Sequence, residues 1–135
     1  MVLDAAGRVL LVRRAYPPHD WVLPGGNAET SESPVDTVVR EVAEETGLVA
    51  RPERLTGVYY QDDHRGGEFL HFVFRCSVDQ GADIRPDPAE VAEHGYFPTD
   101  ALPEPMSPST RRRLTDGLSP TSLDLPVRLP PRSEP

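Results

Sequence analysis

The sequence predicts an α/β domain, and three patterns carry that expectation. Val35, Val38, Val39 and Val42 recur at i, i+3, i+4 and i+7, one apolar face of a helix over residues 34–46. Residues 69–78 alternate instead, so that Leu70, Phe72, Phe74, Cys76 and Val78 fall on one strand face expected to be buried. Val9, Leu10, Leu11 and Val12 form a short aliphatic run of strand length. With 135 residues the chain is long enough for one domain with a core of its own.

In chain order, Asp4-Ala5-Ala6-Gly7 reads as a turn before the strand at residues 9–12. Arg13 and Arg14 follow, then a loop with Pro17-Pro18. Leu23-Pro24-Gly25-Gly26 reads as a strand end running into a glycine turn whose backbone can approach a ligand closely. Ser33 is suited to cap the helix, Pro34 to open it because its missing N–H is unpaired there anyway, and Gly47 to end it in a left-handed cap. Valine is a mediocre helix former, so packing must hold this helix. Val58-Tyr59-Tyr60 reads as a short strand, and residues 62–67 as a hairpin-like loop before the alternating strand. On that strand His71 and Arg75 share the second face with Phe69 and Val73. Residues 83–93 are an acidic, proline-punctuated loop, Tyr96-Phe97 begins the last strand, and Ser109 caps a short helix carrying Arg111 to Leu118. From Ser119 the chain turns to Pro, Ser and Leu, with no pattern able to bury a face, and is expected to be a mobile tail. No internal repeat is visible.

The chemistry concentrates on the helix. Glu41, Glu44 and Glu45 stand at i, i+3 and i+4, where like charges weaken a helix unless something neutralises them. At about 100° per residue they flank the valine stripe and can line a cleft beside it. A hard divalent cation with oxygen ligands is the obvious neutraliser; alone, however, an acidic cluster is usually a solvated face. Composition excludes several rivals. All 14 basic residues are arginine, so a P-loop lysine and Schiff-base chemistry are absent. One cysteine, Cys76, excludes an intrachain disulfide and a cysteine-rich zinc site. No apolar run approaches the ~20 residues of a membrane span and no signal peptide precedes Val2, so a cytoplasmic location is expected. The net charge of −8 argues against broad binding to nucleic-acid backbones, but not against a small nucleotide held through metal ions.

The whole string changes the weight of the cluster. Gly26, Glu32, Arg40, Glu41, Val42, Glu44, Glu45, Gly47 and Leu48 meet every fixed position of the pattern by which the Nudix hydrolases are known. Trp21-Val22-Leu23-Pro24-Gly25 and Glu29 also resemble the family; Ser31, where many members have glycine, departs from it and is expected to stiffen the loop. The resemblance covers residues 1–118, with the box at 26–48 and the tail at 119–135. It implies a Nudix-type α/β/α sandwich with a mixed β-sheet. The family's first strand begins several residues before the position of Val2, so the start reads as clipped or the sheet edge as short.

What the resemblance implies about function is metal-dependent hydrolysis of a pyrophosphate bond in a nucleoside diphosphate linked to another moiety. Glu41 and Glu45 resemble the principal ligands of Mg²⁺ or Mn²⁺, with Glu44 assisting and the Gly26 carbonyl adding an oxygen. Arg40 resembles an orienting partner that pairs with box carboxylates such as Glu32. The general base is a box glutamate such as Glu44, or one from a later loop, where Glu90 and Glu93 stand; both read equally well as ordinary acidic loop residues. On the substrate side Arg13 resembles an arginine that meets a phosphate, Gly25 offers backbone, and Trp21 is a stacking surface or, more commonly, core packing. His64 and His71 are not expected as ligands. The substrate class stays open among nucleoside triphosphates, nucleotide sugars, ADP-ribose and dinucleoside polyphosphates, and a homodimer is allowed for. The alternative is a non-catalytic nucleotide-sensing module; isomerase chemistry, known in some relatives, is a third reading with less support.

Overall fold

A computed structural model describes residues 1–62 and 66–131; Asp63, His64 and Arg65, three of the six loop residues expected at 62–67, lie outside that range. The chain runs β1 (Val9–Arg14), β2 (Trp21–Val22), α1 (Pro34–Thr46), β3 (Arg51–Asp62), β4 (Glu68–Ser77), β5 (Val91–Phe97), α2 (Pro108–Leu118) and β6 (Val127–Arg128). The strands form an antiparallel sheet, β2-β1-β5, and a mixed one, β4-β3-β6, in which β3 pairs antiparallel with β4 and parallel with β6.

Alternation along β1 explains the layering. Leu10 packs toward one core with Val42 of α1, while Val9 and Leu11 pack toward another with Leu114 of α2. One helix therefore covers each face, the expected α/β/α sandwich. Both helices bear a serine N-cap followed by proline. Ser33 accepts the Asp36 N–H at 3.1 Å, and Gly47 closes α1 at φ 74° with its N–H on the Ala43 carbonyl. The second cap is Ser107, two residues before the expected Ser109, which is instead buried inside α2.

Some expectations are corrected. Val42 is buried and Val38 packs against the core, but Val35 is exposed; Thr46 takes the next place on the buried row, its hydroxyl donating to the Val42 carbonyl. The short strand at Val58 is part of a 12-residue β3, because two register shifts absorb the apparent breakers Pro52 and Gly57. On β4, Phe74 and Cys76 are buried as expected, whereas Leu70 (61 % exposed) and Phe72 (41 %) are not. Residues 96 and 97 end β5 instead of beginning it, and Glu93 belongs to that strand, not to the acidic loop.

The segment after Leu118 has more structure than its composition announces. β6 lies alongside Tyr59 and Tyr60, the Leu129 N–H donates to the Tyr60 carbonyl, and the Leu129 side chain joins a core with Tyr59 and Val73. Arg128 reaches Asp62 and stacks over the Tyr60 ring, while buried Gln61 donates to both Ser109 and the Pro130 carbonyl.

Candidate active site

The acidic face of α1 forms one wall of a cleft of about 410 Å³. Glu41, Glu44 and Glu45 line it from the helix, Gly25, Gly26 and Asn27 from the glycine turn, and Asp87 and Glu90 from the loop before β5. That loop is placed by the C-terminal end of α1. The Arg85 N–H donates to the Thr46 carbonyl at 2.7 Å, and Asp87 turns back on itself by accepting the Glu90 and Val91 N–H groups on its carbonyl. Two acids far away in sequence thus join the three from the helix.

Arg40 organises the other side. Its guanidinium donates to Glu32 through Nε and Nη2 at 2.7 and 2.9 Å, to the Asn27 carbonyl at 2.9 Å, and to Glu41 and Glu44 at 2.8 and 3.1 Å. A planar fork suits this bridging better than a lysine ammonium would. The contact with Arg40, helped by the Glu29 N–H and the Thr37 hydroxyl, holds the Glu32 carboxyl down to about 2. Glu32 and Arg40 therefore stay ionised and pin residues 27–32 onto the helix.

Gly26 is needed for space. A methyl group on its Cα would lie 2.5 Å from the Glu41 carboxyl carbon, so any side chain would push that carboxylate out of place. Glu45 accepts the Gly25 N–H at 3.1 Å. Burial, reinforced by the charges of Glu41, Glu90 and Glu44, outweighs that hydrogen bond and raises the Glu45 carboxyl to about 8.

As the side chains stand, no three His, Cys, Asp or Glu residues among the described residues are grouped to hold a metal ion. Glu41 and Glu44 are engaged by Arg40, and Glu45 by Gly25. The donor set nevertheless fits a hard divalent cation: it is all oxygen, it is acidic, and a glycine backbone closes directly on one carboxylate.

The remaining sequence candidates separate. Glu90 lines the cleft; Glu93 pairs across the sheet with Arg13, its carboxylate 3.3 Å from the guanidinium. Arg13 also donates to the His19 carbonyl, and Trp21 is 6 % exposed, packed edge-on against Phe97 in the core, with no open face for stacking. His71 contacts Gln61, away from the acids. Three cleft residues escaped sequence reasoning, Asn27 in the glycine turn, Asp87 and Tyr16. Asp87 was hidden in a generally acidic loop, and Tyr16 in a loop whose path only the pairing of β1 with β5 determines.

The NUDIX domain model matches residues 1–118. A MutT-like protein of Streptomyces ambofaciens is 36 % identical over 118 residues, covering 87 % of this chain and 73 % of that protein. An ADP-ribose pyrophosphatase of Methanocaldococcus jannaschii is 34 % identical, covering 76 % of this chain and 62 % of that protein. Among solved structures, a MutT NUDIX hydrolase of Burkholderia pseudomallei superposes with a TM-score of 0.74 at 28 % identity, covering 85 % of this chain and 92 % of that one.

Proposed function

This chain belongs to the NUDIX family, and on that premise we propose that it hydrolyses the pyrophosphate bond of a nucleoside diphosphate linked to a second moiety. In this reading a divalent cation, Mg²⁺ or Mn²⁺, is held by Glu41, Glu45, Glu44 and the Gly26 carbonyl. The observation that carries the reading is the cleft itself. Five carboxylates line it, and burial plus mutual repulsion keep one of them, Glu45, protonated to about pH 8 when no cation is present. The name of the archaeal relative, an ADP-ribose pyrophosphatase, supports the substrate class.

A bound cation would neutralise diphosphate oxygens and lower the pKa of a coordinated water. The chain's own groups do the rest. Arg40 and Glu32 fix the glycine turn, so that the Gly25 and Gly26 backbone presents a rigid edge to the substrate. Glu44 or Glu90, both on the cleft, accepts the proton of the attacking water on a carboxylate oxygen. Arg13 and Glu93 form a pair to one side, from which Arg13 meets a distal phosphate if Glu93 releases it.

The test is a substrate panel with Mg²⁺ or Mn²⁺: ADP-ribose, nucleotide sugars, nucleoside triphosphates and dinucleoside polyphosphates, scored by release of nucleoside monophosphate, phosphate or pyrophosphate. Cleavage of at least one, abolished by EDTA, is the expected result. Nucleotide binding with cleavage of none would refute hydrolysis and favour a sensing module.

A further inference from the structure

We propose that Tyr16 is the specificity-determining residue of this cleft, the platform on which the planar base of the substrate stacks. The inference rests on the hydrolase reading for the nature of the ligand, and on separate observations for the residue. Tyr16 is the one aromatic ring among the described residues lining the cleft, and it is 44 % exposed, whereas Trp21 close by in sequence is buried. No hydrogen bond of the Tyr16 hydroxyl exists among the described residues.

The ring is also held in place. Arg14 lies over it, with its guanidinium carbon 5.8 Å from the ring centroid. Arg14 is itself locked by Asp20, which is 7 % exposed and accepts its Nε at 2.7 Å. The Tyr16 carbonyl accepts the His19 N–H, and His19 adopts a left-handed φ of 56° to close that turn, with Arg13 donating to its carbonyl. On the other side the Ala15 N–H donates to the carbonyl of Glu90, so this loop is tied to the loop that carries the cleft acids. A ring backed by a fixed cation and offered at the edge of a carboxylate cluster is a base-stacking platform set at one end of a phosphate site. The acids of α1 would meet the diphosphate through a cation, and the ring would meet the base.

The experiment measures binding, so that it does not depend on turnover. ADP-ribose and base-free ribose 5-diphosphate, each with a non-hydrolysable methylene bridge in place of the diphosphate oxygen, are titrated calorimetrically with Mn²⁺ into wild type, Tyr16→Ala and Tyr16→Phe. Tyr16→Ala is expected to weaken ADP-ribose roughly 10-fold or more, in the range of one base–aromatic stack, and to change the base-free ligand less than about twofold. Tyr16→Phe keeps the ring and retains affinity for both. Equal weakening of the two ligands, no weakening of either, or no binding of ADP-ribose by wild type overturns the assignment. A wild type that binds with this pattern yet cleaves nothing in the panel would refute the hydrolase reading and leave the role of Tyr16 standing.

Discussion

Replacing Glu45 with glutamine tests how the acidic wall shapes the metal-free protein. Glu45 holds its proton to about pH 8 instead of 4.5, first because it is buried and then because Glu41, Glu90 and Glu44 face it. Between those two values the folded protein binds a proton that the unfolded chain has released. Stability therefore falls as pH rises: this carboxyl's contribution is fully present below about 4.5 and is lost on approaching 8. At about 1.4 kcal/mol per pH unit the whole interval corresponds to about 5 kcal/mol. The cleft is open to water and its side chains relax, so we expect about 2 kcal/mol. Glutamine keeps an oxygen for the Gly25 N–H and never ionises. In EDTA the variant should match wild type closely at pH 5 and exceed it by that amount at pH 8.5. For 135 residues, with about 2.1 cal/mol/K of unfolding entropy each, this is a gain of about 7 °C in Tm. Urea or thermal denaturation at the two pH values decides. A stability difference that is the same at both would mean that burial and crowding do not hold this proton, and would undo the argument for a cation at Glu45. With Mn²⁺ the order should reverse, since wild type gains by mass action what the variant cannot bind; unchanged Mn²⁺ affinity in the variant removes Glu45 from the ligand set.

Three further outcomes follow from particular residues. Among Glu44→Gln, Glu90→Gln and Glu93→Gln, one of the first two should lose turnover by roughly 10²-fold with substrate affinity nearly intact, while Glu93→Gln, outside the cleft and paired with Arg13, should keep most of it. Steady-state rates beside calorimetric affinities separate these, and a loss confined to Glu93→Gln would count against the cleft assignment. Ser31 sits at φ 65°, a left-handed conformation that costs a side chain about 1–2 kcal/mol. Ser31→Gly should relieve that cost, less about 0.4–1 kcal/mol of added freedom in the unfolded chain, and raise Tm by about 2–3 °C; a fall in Tm would contradict it. Leu129, 3 % exposed against Tyr59 and Val73, should lose about 2–3 kcal/mol on truncation to alanine in a denaturant titration. A change below about 0.5 kcal/mol, typical of a surface position, would mean that the segment after Leu118 does not contribute to the core.

Much was legible where local rules suffice. Helix α1 begins and ends where Ser33, Pro34 and Gly47 dictate, because caps are read by adjacent backbone groups. The acids at Glu41, Glu44 and Glu45 share a wall because the helical period fixes their angles. The pairing of Arg40 with Glu32 was legible only through the resemblance to a family, since eight residues and a loop separate them. Errors occurred where one element's fate depends on another. Leu70 and Phe72 alternate like Phe74 and Cys76, but only the latter two lie where Val38 and Val42 of α1 cover the sheet. The strand at β3 continues through Pro52 and Gly57 because β4 accommodates two register shifts beside it.

By itself, then, the sequence determined the helix, its acidic face, the glycine turn beside it, and the family. These depend on residues within about two dozen positions of one another, whose relative placement the helical repeat and steric size already set. Only the tertiary structure decided which distant groups complete the cleft. It brought in Asp87 and Glu90, set Glu93 aside with Arg13, buried Trp21 and put Tyr16 at the rim. The physical reason is that those placements follow from β1 pairing with β5 and from the loop before β5 docking on the end of α1. Such contacts join chain segments some forty to ninety positions apart, and no local pattern of charge or hydrophobicity encodes which partner each will meet.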